Sequence, residues 1–169
     1  MLLVLALSIF GALVGFGCGN GSTSNGPVTS TPTTSDSLVF TISVPHGNYA
    51  RGTVVPVTFT VFNTGAQAAN FEVATCADFV VQINQGTQEV WTGPSGGCVA
   101  ITHPLSIAAG ATKTYNVTWN QVDSLGNALT TGTYTILAKL TPDTLNGISL
   151  TGAQISTFVS NPISVTISP

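Results

Sequence analysis

The chain has 169 residues, of which 43% are hydrophobic and only 5% charged, and its formal net charge is −3. That length is a prior for one domain. The three basic residues, Arg51, Lys113 and Lys139, are scattered, which excludes the basic patch or stripe that nucleic-acid binding requires.

The first segment, residues 1–17 (MLLVLALSIFGALVGFG), is almost wholly apolar. A membrane span needs about 20 such residues, so this run is short for one. It has the character of a secretory signal ending in small residues, although no Lys or Arg precedes it. Gly15-Phe16-Gly17-Cys18 resembles a bacterial lipobox, with Gly15 where Leu is usual. That resemblance implies cleavage before Cys18 and a lipid on its sulfur. Residues 19–36 follow, rich in Gly, Ser, Thr and Pro and without apolar periodicity. Such a stretch cannot bury a core. As a flexible coil it spans roughly 20–25 Å root-mean-square. The reading is a lipoprotein-type signal peptide over 1–17, a lipidated Cys18 with a flexible linker over 18–36, and a folded domain over 37–169. It places the protein outside the cytoplasm, lipid-anchored to a bacterial cell envelope.

From Leu38 the pattern becomes alternation. Strands are expected at 38–44, 54–63, 70–75, 78–83, 88–93, 103–108, 112–119, 132–140 and 161–168, each rich in Val, Ile, Phe, Tyr or Thr. Turn signals punctuate them at Asn63-Thr64-Gly65, Gln85-Gly86, Ala109-Gly110 and Leu125-Gly126-Asn127. About seven to nine short strands at this spacing argue for an all-β, immunoglobulin-like antiparallel β-sandwich. Phe79, Trp91, Tyr115 and Trp119 are expected core aromatics, because such side chains dominate sandwich interiors. Gly86, Gly110 and Gly126 are expected at positive φ in turns. Gly132-Thr133-Tyr134 just before a strand resembles a tyrosine corner, in which the hydroxyl bonds back to the backbone.

The chain has three cysteines, so one is left over if two pair. Cys76 and Cys98 lack zinc-ligand spacing, and a disulfide between them is the simpler account in an oxidising compartment. Cys18 is then the leftover thiol that lipidation consumes. If 78–83 and 88–93 form a hairpin about Gly86, Cys76 faces residue 96, close to Cys98.

Four segments carry a resemblance to the intracellular proteinase inhibitor (BsuPI) family, over about residues 57–140. They are VTFTVFNTG, DFVVQINQGTQEVW, LSIAAGATKTYNVTWN and DSLGNALTTGTYTILAKL, in that order. The resemblance implies an immunoglobulin-like sandwich and a protease as partner. The family's intracellular name sits against the export signal here, and the cysteine pair is an addition to its pattern.

No catalytic constellation assembles from the sequence, so a non-enzymatic binding role leads, and nothing calls for a cofactor or metal. Gly93-Pro94-Ser95-Gly96-Gly97 matches Gly-x-Ser-x-Gly. The hydrolase form of that motif needs a strand turning into a helix, whereas here Pro precedes the serine and no helical pattern follows. His46 and His103, the only histidines, each sit beside a proline and are read as surface or loop residues. In Asp123-Ser124-Leu125-Gly126-Asn127 the Asp and Asn oxygens are expected to bond local backbone. The acid-rich spacing of a calcium loop is missing there. Candidate contact loops are 93–97 and 123–127, at one end of the sandwich. The competing role is an assembly subunit of an envelope complex. Few Lys or Glu residues guard the strand edges, and the segment 147–169 is a candidate exchanged strand.

Overall fold

The structure, a computed structural model, describes residues 25–75, 77–94 and 101–169. Alternating apolar residues dictate its strands. Leu38, Phe40, Ile42 and Val44 are buried while Val39, Thr41 and Ser43 between them are not. This period of two fits one buried and one solvated sheet face.

In chain order the elements are β1 (Val28–Thr29), β2 (Thr33–Ser35), β3 (Leu38–Val44), β4 (Asn48–Ala50) and β5 (Val55–Asn63). Then come β6 (Ala69–Val73), β7 (Phe79–Gln85), β8 (Gln88–Gly93), β9 (His103–Ile107) and β10 (Thr112–Trp119). The chain closes with β11 (Gly132–Leu140), β12 (Thr144–Leu145), β13 (Ile148–Ser149), the short helix α1 (Gly152–Ile155) and β14 (Ile163–Ser168). One layer has the order β1-β3-β5-β10, with β2 also on β3. The facing layer runs β4-β14-β11-β7-β8, and a ribbon β13-β12-β6-β9 sits beside them. The pairings are antiparallel apart from β4 on β14. The fold is therefore the expected all-β sandwich. The closing strand β14 pairs with β11 of its own chain.

Between the layers lies one apolar cluster drawn from both. Phe59 of β5 stacks on Phe79 of β7 at 6.1 Å between ring centroids, and Phe79 lies 4.4 Å from Tyr115 of β10. Trp119 meets Tyr134 edge-on at 5.3 Å. Phe158, after α1, reaches between Phe40 and Phe71 at about 6 Å from each. Such offset and edge-on pairs each add about 0.5–1.5 kcal/mol beyond area burial. Phe79, Tyr115, Trp119 and Tyr134 are core residues as expected. Trp91 is not: it is half-buried against the cluster, because β8 is the outermost strand of its layer and covers only one side of the ring.

The tyrosine corner is present. The Tyr134 hydroxyl donates to the Thr130 carbonyl at 2.6 Å, which satisfies the one polar atom of a fully buried ring. Gly86, Gly110 and Gly126 all have positive φ.

Two expectations need correction. Residues 28–35 are not part of a free tether. Val28 pairs with Val44 and Thr34 with Val39. Ser30, itself buried, exchanges bonds with Ile42: its N–H donates to the Ile42 carbonyl at 2.8 Å, and its Oγ accepts from Ile42 N–H at 3.1 Å. The edge of β3 needs hydrogen-bond partners, and a Ser/Thr strand supplies them without an apolar period to betray it. The β7–β8 register also differs. Ile83 faces Trp91 and Val81 faces Gly93, with a bulge between Ile83 and Asn84. The pairing next to the turn, Gln85 with Gln88, is already one residue off the expected register, and the one extra residue of the bulge shifts the pairs beyond it by one more. Cys18, Cys76 and Cys98 themselves lie outside the described residues.

Candidate functional site

Of the two expected contact loops, the structure describes the one at 123–127 throughout and only the first two residues of the one at 93–97. Gly93 and Pro94 leave the C-terminal end of β8, and Ser95, Gly96 and Gly97 lie outside the described residues. The loop 123–127 packs instead against the N-terminal half of β8. It lines a cleft there with Gln85, Gln88, Glu89 and Val90. Helical or strand period says nothing of where a long connection folds back; here Ser124 N–H donates to the Val90 carbonyl at 2.9 Å and ties the loop to β8.

The Asp123 loop is closed on itself, as the sequence suggested. Asp123 Oδ1 accepts from the backbone N–H of Leu125 at 2.9 Å and of Asn127 at 2.8 Å, and Oδ2 accepts from Asn127 Nδ2 at 3.0 Å. Backbone bonds from Asp123 N–H to the Asn127 carbonyl and from Gly126 N–H to the Asp123 carbonyl complete it. The turn demands φ +86° at Gly126, which glycine adopts without penalty. The Asn127 side chain, then the backbone donors, hold the Asp123 carboxyl below its ordinary pKa. A carboxylate with this many internal donors is a turn-former. Among the described residues no group of three His, Cys, Asp or Glu could hold a metal ion.

The loop is fixed to the body at both stems. Trp119 Nε1 donates to the Val122 carbonyl at 3.0 Å, and Leu129 N–H donates to the Gln121 carbonyl at 2.9 Å. Gln121, buried and at φ +57°, accepts from Gly52 N–H through Oε1 and donates to the Ala50 carbonyl through Nε2. Sequence reasoning passed over Gln121, because a lone Gln in a loop carries no pattern. Leu125 stands at the loop's apex, 87% exposed.

At the other end of β8 lies a constellation that the sequence did not announce. His103 Nε2 is 2.7 Å from Asp78 Oδ1, and the Tyr115 hydroxyl donates to Asp78 Oδ2 at 3.2 Å. These residues come from the start of β9, the entry to β7 and the middle of β10. The bond to Asp78, and next the Ile101 carbonyl, raise the His103 pKa. Burial raises that of Tyr115, and the Asp78 charge adds to it. Around it, Thr141 Oγ1 and Thr75 Oγ1 donate to the Ala77 carbonyl at 3.0 and 2.8 Å. A carboxylate held by a tyrosine hydroxyl on one oxygen and an imidazole nitrogen on the other is a clamp across strands. The hydroxyl is spent as a donor and kept neutral, so it is no nucleophile. His103, expected at the surface, is partly exposed and has Asp78 as a structural partner as well. His46 does sit at the surface, its Nδ1 2.8 Å from the Asn25 carbonyl.

Comparison with known proteins adds the following. No curated protein matches the chain. Among solved structures, a β-glucosidase from Listeria innocua in complex with isofagomine is similar at 12% identity and a TM-score of 0.45. It is matched over 78% of this chain and 16% of its own length. A β-glucosidase from Erythrobacter marinus is similar at 12% identity and a TM-score of 0.44, over 84% of this chain and 15% of its own. The CARDB domain of a Pyrococcus furiosus protein, in complex with di-metal ions, is similar at 13% identity and a TM-score of 0.38. It covers 86% of this chain and 97% of that domain. The chain thus spans about a sixth of the glucosidases it matches, and likeness at these scores carries no argument about activity. The family model for intracellular proteinase inhibitor, BsuPI, matches residues 42–144. That span runs from β3 into β12 and takes in the hairpin, the Asp123 loop and the tyrosine corner. The chain belongs to the BsuPI intracellular proteinase inhibitor family.

Proposed function

We propose that this chain is a non-catalytic binding module whose partner is a protease, held outside the cytoplasm by a lipid on Cys18. The observation that carries the protease reading is the family match over residues 42–144. The extracytoplasmic reading rests on the apolar leader and on Cys18 at its end. The domain organisation follows: signal peptide to residue 17, lipidated Cys18, and a sandwich whose first pairing residues begin at Val28. A disulfide between Cys76 and Cys98 belongs to the same proposal, and the β7–β8 register supports it.

The test is twofold. The full chain, purified in detergent, is titrated against serine, cysteine and metalloproteases, and inhibition of at least one is expected. Inhibition of none removes the inhibitor role. Mass spectrometry of the protein from bacterial membranes is expected to find Cys18 as an acylated N-terminus. An unmodified Cys18, or an intact leader, removes the anchor.

A second reading, assembly through a sheet edge, has one observation in its favour. Strand β10 ends its layer with a largely exposed face, and an open edge can accept a strand. Lys113 stands against it. Its ammonium folds over the Tyr115 ring at 5.6 Å, on the edge strand itself, and a lysine there is a device that discourages edge pairing. Size-exclusion chromatography with light scattering separates the two: a monomer favours the inhibitor.

A further inference from the structure

We infer that Leu125 is the anchor with which this protein engages its protease, entering an apolar pocket of the enzyme's cleft as a knob that is not cut. This rests on the inhibitor reading above and adds to it the residue and the pocket chemistry.

An exposed apolar side chain is ordinary on a protein surface. The backbone beneath it is what sets Leu125 apart. It is the most exposed large apolar residue among those described, and it rides on a loop whose backbone is hydrogen-bonded on both sides of it. Its own N–H is held by Asp123 Oδ1, Ser124 is tied to Val90, and Gly126 is tied to Asp123. Ordering a contact loop ordinarily subtracts from affinity, and prior ordering removes that cost. Ile148, 69% exposed, lies instead on the two-residue strand β13.

The surroundings match an interface as well. Binding hot spots are central anchors ringed by polar groups that exclude water. Leu125 is flanked by Gln85, Gln88, Glu89 and Ser124 along the cleft, amides, a hydroxyl and a carboxylate suited to backbone groups of a protease rim. The two acids near it, Glu89 and Asp123, favour a neutral or basic rim over an acidic one.

The closed turn explains survival. A protease cuts a segment it can hold extended along its cleft. Residues 123–127 are bonded into a turn, so the Leu125 side chain can enter a pocket while its peptide bonds stay off the extended path. Loosening the turn is then expected to convert the loop from a plug into a substrate.

The experiment takes the full chain and the protease it inhibits best. Leu125→Asp and Leu125→Ile are compared with wild type for inhibition constant, melting temperature and intact mass after incubation. Leu125→Asp is expected to weaken inhibition by roughly 30-fold, the loss of one hot-spot residue, with the melting temperature unchanged. Leu125→Ile is expected to stay near wild type. Asp123→Ala is expected to weaken inhibition and to yield fragments cut within 123–127. If wild type inhibits and Leu125→Asp inhibits equally, the anchor is elsewhere and this inference falls while the inhibitor reading stands. If wild type inhibits no protease, both fall together.

Discussion

His103 and Asp78, 25 residues apart in sequence, meet at 2.7 Å between Nε2 and Oδ1. Tyr115 joins them through the other carboxylate oxygen at 3.2 Å, so one side chain links the ribbon strand β9 to both layers. The arrangement makes stability depend on pH in a defined direction. Asp78, followed by the Ile101 carbonyl, raises the His103 pKa above its ordinary 6.5. A raised folded-state pKa means the imidazolium contribution is complete below the unfolded value and disappears as pH climbs through the folded one. His103→Gln is therefore expected to lower the melting temperature more at about pH 5.5 than at about pH 8.5. Equal losses at both, measured by calorimetry, take the charge out of the account.

Tyr134 is fully buried, and its hydroxyl has the Thr130 carbonyl as its partner at 2.6 Å. Tyr134→Phe keeps the ring in contact with Trp119 and removes only that bond. A net loss of about 1 kcal/mol is expected, which lowers the melting temperature by roughly 2–4 °C in a chain of this size. An unchanged melt would show that the corner is ornamental here.

Gly93 is required by Trp91. A Cβ at position 93 would collide with the six-membered part of the Trp91 indole. Gly93→Ala is expected to push that ring off β8 and to cost about 1–3 kcal/mol, the usual range for overpacking. The readout is chemical denaturation together with the near-ultraviolet dichroism of tryptophan. Retention of both signals would mean the ring has a second resting place.

The cysteines at 76 and 98 give a prediction of another kind. Past the bulge, Val81 faces Gly93, and each of these lies five residues in sequence from one of the two cysteines. Non-reducing peptide mapping of the full chain recovered from an oxidising medium is expected to find one linked pair. A bridge closing a loop of this length adds about 3 kcal/mol, in the chain-entropy account. Recovery of two free thiols refutes it.

Much of the molecule was legible in the residue order. The alternation in Leu38–Val44, Val55–Asn63 and Gly132–Leu140 names both the strand and its buried face, because side chains on a pleated strand point alternately to the two sides. Gly86 and Gly126 mark turns for a reason equally local: positive φ costs glycine nothing. Gly132-Thr133-Tyr134 encodes a corner whose two partners are four residues apart. The Asp123 loop was readable on the same ground, since donors and acceptor lie within five residues.

What the tertiary structure decided involves partners far apart in the chain. The Asp78 clamp draws on β7, β9 and β10. Gln121 reaches back some 70 residues to Ala50 and Gly52. The bulge at Ile83/Asn84 resets the hairpin, and Val28–Ser35 joins a sheet with no apolar rhythm of its own. The physical reason is common to all four. Hydrophobic burial follows a strand's local period and is written residue by residue. Hydrogen bonds between distant segments depend on register, and register exists only once the strands have met.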